Sequence, residues 1–414
     1  MRGSPTLLPG EAFEPDRLLS PEAAVAAYLA QVRVAPVGVE AVSLDDAYDR
    51  ILSTDAVASD DLPAAARSTM DGFAVDAAQL PGRLRITGEI AMGHAPPSGV
   101  GPGETLRIPT GGMLPGGATA VVPFEDVEER GGEILVSQAV AAGENLTARG
   151  ADIRAGETVL RAGRRIGGAE LGVLATLGLA QAPVFRRPRI AIISTGDELV
   201  DVDRRPGPGQ VRDSNRFAIA GALRAMGAIP VHAPRAGDTI TALRASLSAA
   251  LAGSDAVMLT GGSSVGARDL TPEIINALGE PGVVIHGIRV KPGKPTVFAA
   301  VGAVPVIGLP GNPTSALMIL EAVVAPIIAA LTGAAQRVPV RRGIAAEPIA
   351  GRRGWTWYVP VDEDAEGRVT PLPLRSAHTS LLARATGYVI VGERKERYAA
   401  GDPVVVHPFS QAAR

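Results

Sequence analysis

The chain contains no cysteine, and that absence removes disulfides, thiolate metal sites, iron–sulfur clusters and thiol nucleophiles from consideration. It fits a reducing compartment, so the cytoplasm is the expected location. Aromatic residues make up 3% of the chain, too few for the stacking platforms that hold single-stranded nucleic acid. A net charge of -3 supplies no general field toward nucleic acid or an anionic membrane. Neither is an expected partner, and any anionic ligand must be held by local groups. The five histidines are scattered without the spacing of a metal site. The N-terminal "MRGSPTLLPGEAFEPD" lacks the continuous apolar stretch of a secretion signal and reads as a flexible lead-in. The one long apolar run, "ALMILEAVVAPIIAAL" from Ala316, carries Glu321 and Pro326 and is shorter than a bilayer span, so a buried helix is expected there.

What is present is enough for several cores. A length of 414 residues exceeds one comfortable hydrophobic core, and 49 glycines with 34 prolines imply many turns. Ser20 as N-cap and Pro21 in the first turn start a helix over about 20–33, with Val25, Tyr28, Leu29 and Val32 on one face. From about 50 to 148 the texture is of short alternating runs, "RLRITGEI", "ETLRIP", "ATAVVPFEDV" and "GEILVSQAV", with a hairpin around Arg130-Gly131-Gly132. A mixed segment follows and ends in the apolar helix "GAELGVLATLG", stopped by Gly178. After "RRPR" at 186–189 the runs "RIAIISTG", "AIPVHAP", "DAVMLTGG" and "VVIHGI" alternate with helical patterns, which implies a parallel sheet covered on both faces. That region closes with a hairpin-like "TVFAAVGAVPVIGL" and a helix that Asn312 and Pro313 begin. Strand signals dominate beyond about 335.

Ligands of such a sheet sit beyond the carboxyl ends of its strands. Three loops there combine glycine with hydroxyl or acidic residues: "STGDEL" (Ser194 to Leu199), "TGGSSVGARD" (Thr260 to Asp269) and "LPGNP" (Leu309 to Pro313). Backbone N–H groups exposed at glycines can cradle an anion, which makes Gly261, Gly262, Ser264, Gly266, Pro310, Gly311 and Asn312 candidate substrate-binding residues. The segment Gly262–Gly266 also spells G-x-S-x-G, the nucleophile elbow of hydrolases, but an elbow needs its helix to start directly after the serine. Here the helix cue is Thr271-Pro272, several residues late. Glu198 and Asp269, on separate strand-end loops, are placed to share a Mg²⁺ that bridges to substrate phosphates. Asp213 and Asp238 stand just before helical segments and read first as N-caps. Lys291 and Lys294, on the rigid "KPGKP" frame, suit phosphate or oxyanion binding; the frame departs from a Walker A loop in spacing and in Pro295 after the lysine.

The ordered segments "RSTMDGFAV", "IPTGGMLPGGATAVVP", "RGADIRAGE", "STGDELV", "DSNRFAIAGAL", "TGGSSVGARD", "RVKPGKP" and "LPGNPTSA" resemble those of the molybdopterin molybdenumtransferases, the MoeA family shared with the gephyrin E domain. The resemblance runs from about Leu18 to the C-terminus. It implies a multidomain α/β protein: a central molybdopterin-binding three-layer α/β domain with a mostly parallel sheet (186–334), a β-rich insertion domain (51–148), a small mixed linker domain (18–50 with 149–185) and a C-terminal β-barrel-like domain (335–414). It further implies a homodimer that takes adenylylated molybdopterin and molybdate, uses Mg²⁺, and releases AMP as molybdenum cofactor forms. Contact with molybdopterin adenylyltransferase and with recipient apo molybdoenzymes belongs to the same expectation. By motif, Asp71, Thr110, Asp152, Glu198, Asp238, Asp269, Lys291 and Lys294 fall on functional positions, Glu198 and Asp269 at the metal and the other six in catalysis. Arg352 or Arg353 stands for the C-terminal arginine of the family, and Ala377 occupies a position where a small polar residue is usual. The competing readings are a serine hydrolase using Ser264 and a non-catalytic pterin-binding or scaffold protein.

Overall fold

The computed structural model describes residues 17–261, 270–335, 340–373 and 377–410. Two compact units divide the chain. The smaller comprises 54–162 with 168–180, and the larger comprises the residues before 54, 163–167 and everything from 181 onward.

The smaller unit is built on a six-stranded sheet. Its strands, in spatial order, are Ala120–Pro123, Gly72–Val75, Glu104–Ile108, Gly82–Glu89, Glu133–Val136 and Glu128–Arg130. Each expected strand run is present, and the last two form the hairpin around Gly131-Gly132. Side chains alternate between faces along a strand, so Phe73, Val75 and Val122 enter one cluster while Ala74, Leu106 and Val121 enter the other. The helix Gly168–Thr176 ends before Gly178, which takes a positive φ as a C-terminal stop.

The larger unit opens with α1 (Pro21–Gln31), where Ser20 Oγ accepts from the Ala23 N–H and Pro21 fills the first turn. Its α/β part contains β1 (Arg189–Ser194), α2 (Asn215–Ala225), β2 (Ile229–His232), α3 (Ile240–Gly253), β3 (Ala256–Thr260), α4 (Thr271–Leu278), β4 (Pro281–His286), β5 (Val290–Lys291), β6 (Val297–Val301), β7 (Val304–Leu309), α5 (Pro313–Ile319) and α6 (Ala325–Thr332). The strand order is β2-β1-β3-β7-β6-β4. The β1–β2, β1–β3 and β3–β7 pairs are parallel, while β6 is antiparallel to both β7 and β4. Only β6 is therefore reversed, because it comes from the hairpin that the sequence predicts.

Consecutive residues of β1 and β3 serve opposite faces. Ile190, Ile192, Ala256 and Met258 join the cluster that contains α1, α2, α5 and α6 residues. Ala191, Ile193, Val257 and Leu259 join the cluster with Leu243, Leu247, Ile274 and Ile275 of α3 and α4. Burial on both faces explains why these strands read as continuous apolar runs rather than alternating ones. The apolar run from Ala316 is the core of this layer. Pro313–Thr332 is helical, long and apolar enough to cross a membrane by length and composition, yet Met318, Ile319, Val323, Ile327 and Leu331 are buried in the same cluster. A π-helical turn, Leu320–Val324, interrupts it at Glu321.

The C-terminal part is a closed barrel of β8 (Arg341–Ala345), β9 (Thr356–Glu363), β10 (Arg368–Pro371), β11 (Gly387–Val391) and β12 (Pro403–Pro408). Strand β9 pairs with both β10 and β11, and the ring closes through β8 and β12. Val359, Val361, Val369, Val389 and Val406 fill its interior. Tyr358, Tyr388 and Phe409 instead join the cluster on the helices. The short strand β5 leaves the α/β sheet and pairs in parallel with β9.

Candidate functional site

The chain passes from β1 outward to β2 and returns to place β3 on the other side of β1, so the β1/β3 junction is a topological switch point, where open α/β sheets bind ligands. Ser194 aligns with Thr260, and Thr260 with Leu309. The three glycine-containing loops therefore start from one row. Gly261 takes φ +95°, and a Cβ there would strike the Thr195 carbonyl; only glycine suits both conditions. This close approach brings Gly261 against Gly311, whose Cβ position lies 3.5 Å from the Gly261 Cα.

These loops open into a cavity of about 1180 Å³. A short parallel ladder, Leu199–Val200 with Val211–Arg212, carries Glu198 and Asp213 to its wall although they are far apart in sequence. The barrel supplies another side with Arg352, Trp355, Trp357, Ala377 and Thr379. Thr314 holds this last segment by donating its hydroxyl to the His378 carbonyl at 2.7 Å. Among the described residues, four basic side chains, Arg212, Lys291, Lys294 and Arg352, line the cavity against two acidic ones, Glu198 and Asp213. A chain with net negative charge thus concentrates positive charge at one place, as an anionic ligand requires.

Lys291 and Lys294 share the cavity because Gly293 bends the segment between them. Gly293 has φ +105°, and a Cβ on it would overlap the Ile319 side chain of α5. The other side of the bend is pinned by the Ile288 N–H donating to the Lys294 carbonyl at 2.9 Å.

Four buried oxygens near the strand ends have no hydrogen-bond partner among the described residues: Ser194 Oγ, Thr195 Oγ1, Asp213 Oδ2 and Asn215 Oδ1. An orphaned buried polar group costs about 1–3 kcal/mol, and a cluster of them marks a place completed by a ligand, ion or water. Asp213 is 3% exposed. Its Oδ1 accepts from the Arg216 N–H at 3.3 Å, so its position before the helix does give it a capping bond, while its second oxygen is buried without a partner among the described residues. Asn215 begins α2 and ties the row together: its Nδ2 donates to Thr260 Oγ1 at 2.8 Å and to the Gly311 carbonyl at 2.7 Å.

Asp238 departs from the simple N-cap reading. Thr239 caps α3 by accepting from the Ala242 N–H. Asp238 instead exchanges hydrogen bonds with Asp197, each carboxylate accepting from the other's N–H at 3.2 Å. The exchange ties the Glu198 loop to the loop after β2.

In the smaller unit, Asp71 and Thr110 are brought together. The Thr110 N–H donates to Asp71 Oδ1 at 2.7 Å, and this backbone bond, with the Thr110 side chain, holds the Asp71 carboxyl below the usual aspartate range. Asp152 stands on a separate turn, exposed, with its N–H donating to the Leu62 carbonyl at 3.1 Å. Gly262, Ser264, Gly266 and Asp269 lie outside the described residues. Among the described residues no group of three or more histidines or carboxylates is gathered for a metal. Pro310, Gly311 and Asn312 line the cavity.

The hydrolase reading loses its geometry, since α4 begins at Thr271, too late for an elbow at Ser264. Sequence reasoning overlooked Asn215, Arg212 and both tryptophans. Their signal was available: "DSN" is a quoted motif, and a chain with two tryptophans places both within three residues. It left Arg352 and Arg353 unresolved, and the fold separates them. Arg352 lines the cavity, while Arg353 pairs with exposed Glu396 at 3.3 Å.

Comparison with known proteins agrees with this arrangement along the chain. Residues 19–178 match the MoeA N-terminal region (domain I and II), residues 191–330 a probable molybdopterin binding domain, and residues 342–409 the MoeA C-terminal region (domain IV). The molybdopterin molybdenumtransferase of a Nostoc species is 36% identical over 72% of this chain and 70% of its own length. Molybdopterin molybdenumtransferase 2 of Mycobacterium tuberculosis is 32% identical over 88% and 94%. The crystal structure of a molybdopterin biosynthesis MoeA protein from Pyrococcus horikoshii superposes with a TM-score of 0.82, at 31% identity, covering 95% of this chain and 99% of that one. A switch-point cavity rich in basic groups, a barrel wall beside it, and near full-length similarity at these identities make the chain a member of the molybdopterin molybdenumtransferase (MoeA) family.

Proposed function

We propose that this protein inserts molybdenum from molybdate into adenylylated molybdopterin and releases AMP, acting as a cytoplasmic homodimer within the cofactor pathway. The observation that carries the reading is the cavity itself. Among the described residues, four cationic side chains converge with two carboxylates at the ends of β1, β3 and β7, which suits two anionic substrates, an oxyanion and a phosphoanhydride. The dithiolene sulfurs come from the substrate, so the absence of cysteine is no obstacle.

Lys291 and Lys294 bind the oxygens of molybdate or phosphate as point charges, and Arg352 offers a planar donor fork from the barrel side. Asn215 ties the end of β3 at Thr260 to the 310–312 loop, so that backbone groups at Gly261 and Gly311 meet the ligand without reorganising. Glu198 and Asp213 fit a hard cation. Both are oxygen donors on the cavity wall, and Asp213 Oδ2 is buried without a partner. Together with Asp269 they would hold Mg²⁺, which when bound supplies positive charge that offsets the phosphoanhydride. Asp197 and Asp238 keep the Glu198 loop in place. Asp71, Thr110 and Asp152 are assigned to the same reaction from the smaller unit. Hand-over from molybdopterin adenylyltransferase and delivery to apo molybdoenzymes complete the reading.

The test supplies purified protein with adenylylated molybdopterin, molybdate and Mg²⁺. AMP release and reconstitution of an apo molybdoenzyme are expected, with turnover reduced at least ten-fold in Lys294→Ala and in Asp269→Asn. Absence of both products from the unsubstituted protein defeats the reading. Binding of the nucleotide substrate without consumption would make the protein a scaffold instead.

A further inference from the structure

Strand β5 pairs in parallel with β9 so that Lys291 lies in register with Trp357. Laterally paired residues of neighbouring strands point to the same face, and the Lys291 Nζ stands 4.1 Å from the centroid of the Trp357 indole. Tryptophan offers the strongest aromatic face to a cation. The joint beneath this pair is fixed from both sides. The Thr356 N–H donates to the Arg289 carbonyl at 3.2 Å, and the Arg289 guanidinium grips both oxygens of Glu393 at 2.9 and 3.0 Å. Among the described residues Lys291 makes no ion pair and no side-chain hydrogen bond. Its three N–H donors remain for a ligand.

We propose that Trp357 is a positioning residue for oxyanion capture: its indole holds the Lys291 ammonium at the cavity wall before the oxyanion arrives. The inference rests on Lys291 as an oxyanion ligand, as set out above. A lysine on a four-carbon stem loses rotamer entropy when its head is fixed. An indole face that already restrains the ammonium lowers that cost at the moment of binding. The face leaves the ammonium donors unused, because the ring attracts the cation through its quadrupole and not through a lone pair in the cavity.

A partly exposed cation–π contact amounts to about a two- to five-fold factor in binding. Trp357→Leu is therefore expected to raise KM for molybdate by roughly two- to five-fold, by that same factor, with kcat little changed. Trp357→Phe retains a ring face and should recover most of the loss. Calorimetric titration with molybdate alone should show the same order of affinities. In a Lys291→Ala background, Trp357→Leu should add nothing, whereas a general weakening of the barrel would persist there and lower kcat. Emission from Trp357, isolated by Trp355→Phe, should change in ligand-free protein when Lys291 is replaced by alanine.

Equal molybdate affinity in Trp357→Leu and the unsubstituted protein overturns this inference alone, and so does a full Trp357→Leu penalty in the Lys291→Ala background. Failure of the unsubstituted protein to bind molybdate overturns the oxyanion reading with it, even if the emission change shows that the Lys291–Trp357 pair exists.

Discussion

Removing the Asn215 side chain is the most direct perturbation of the row of strand ends. Its Nδ2 donates to Thr260 Oγ1 at 2.8 Å and to the Gly311 carbonyl at 2.7 Å, joining the start of α2 to the loops after β3 and β7. A neutral hydrogen bond contributes about 1 kcal/mol net. Asn215 is half-buried, so water reaches part of the vacated space, and Asn215→Ala is expected to cost about 2 kcal/mol, from two such bonds. Where that energy organises loops for a ligand, affinity falls by up to roughly thirty-fold, the equivalent of about 2 kcal/mol. Asn215→Asp should be worse than alanine despite its equal size. It places a carboxylate oxygen against the Gly311 carbonyl, which can only accept, and next to buried Asp213. Urea unfolding followed by circular dichroism measures the stability change, and calorimetry with the nucleotide substrate measures the affinity. An alanine variant within 0.5 kcal/mol of the parent, about the limit of ordinary surface substitutions, and within two-fold of its affinity, about 0.4 kcal/mol, refutes the reasoning. So does an aspartate variant that outperforms alanine.

Two further outcomes follow from the barrel and its contact with the helices. Arg352→Ala should lower turnover at least ten-fold while Arg353→Ala leaves it unchanged, since only Arg352 lines the cavity and exposed pairs such as Arg353–Glu396 contribute little; equal losses in the assay would contradict this. Glu321, in the π-helical turn, accepts from the Ser410 N–H at 3.0 Å and from its hydroxyl at 2.7 Å, and burial pushes its carboxyl above the ordinary value of 4.5 against the opposing effect of those bonds. A raised acid favours the folded state most below its unfolded value and loses that contribution as pH rises through the folded one. Glu321→Gln should therefore gain stability relative to the parent as pH rises above the ordinary carboxyl value of 4.5, measured by urea midpoints, and a difference that is constant with pH would show that the carboxyl does not titrate in this way.

The sequence by itself determined the elements. Apolar runs marked β1, β3 and β7, the Ser20-Pro21 signal marked α1, and the glycine turn marked the hairpin at 131–132, because these depend on local pattern and backbone preference. It also ranked the three strand-end loops as the ligand site and kept the elbow reading weak through the late start of α4. Chain position alone made Asp213 and Asp238 look alike. Tertiary structure separated them: one became a buried carboxylate in the cavity wall with one oxygen unpartnered among the described residues, the other a tie to Asp197. It likewise put Arg352 rather than Arg353 on the cavity wall and brought both tryptophans to the cavity that Lys291 and Lys294 line. Those outcomes depend on which distant strands pair, above all β5 with β9, whose partners are separated by more than sixty residues of chain. A local pattern fixes how a segment folds and which face it buries. Which side chains from separate segments come to share a charge or an unmet hydrogen bond is set only when the chain closes on itself.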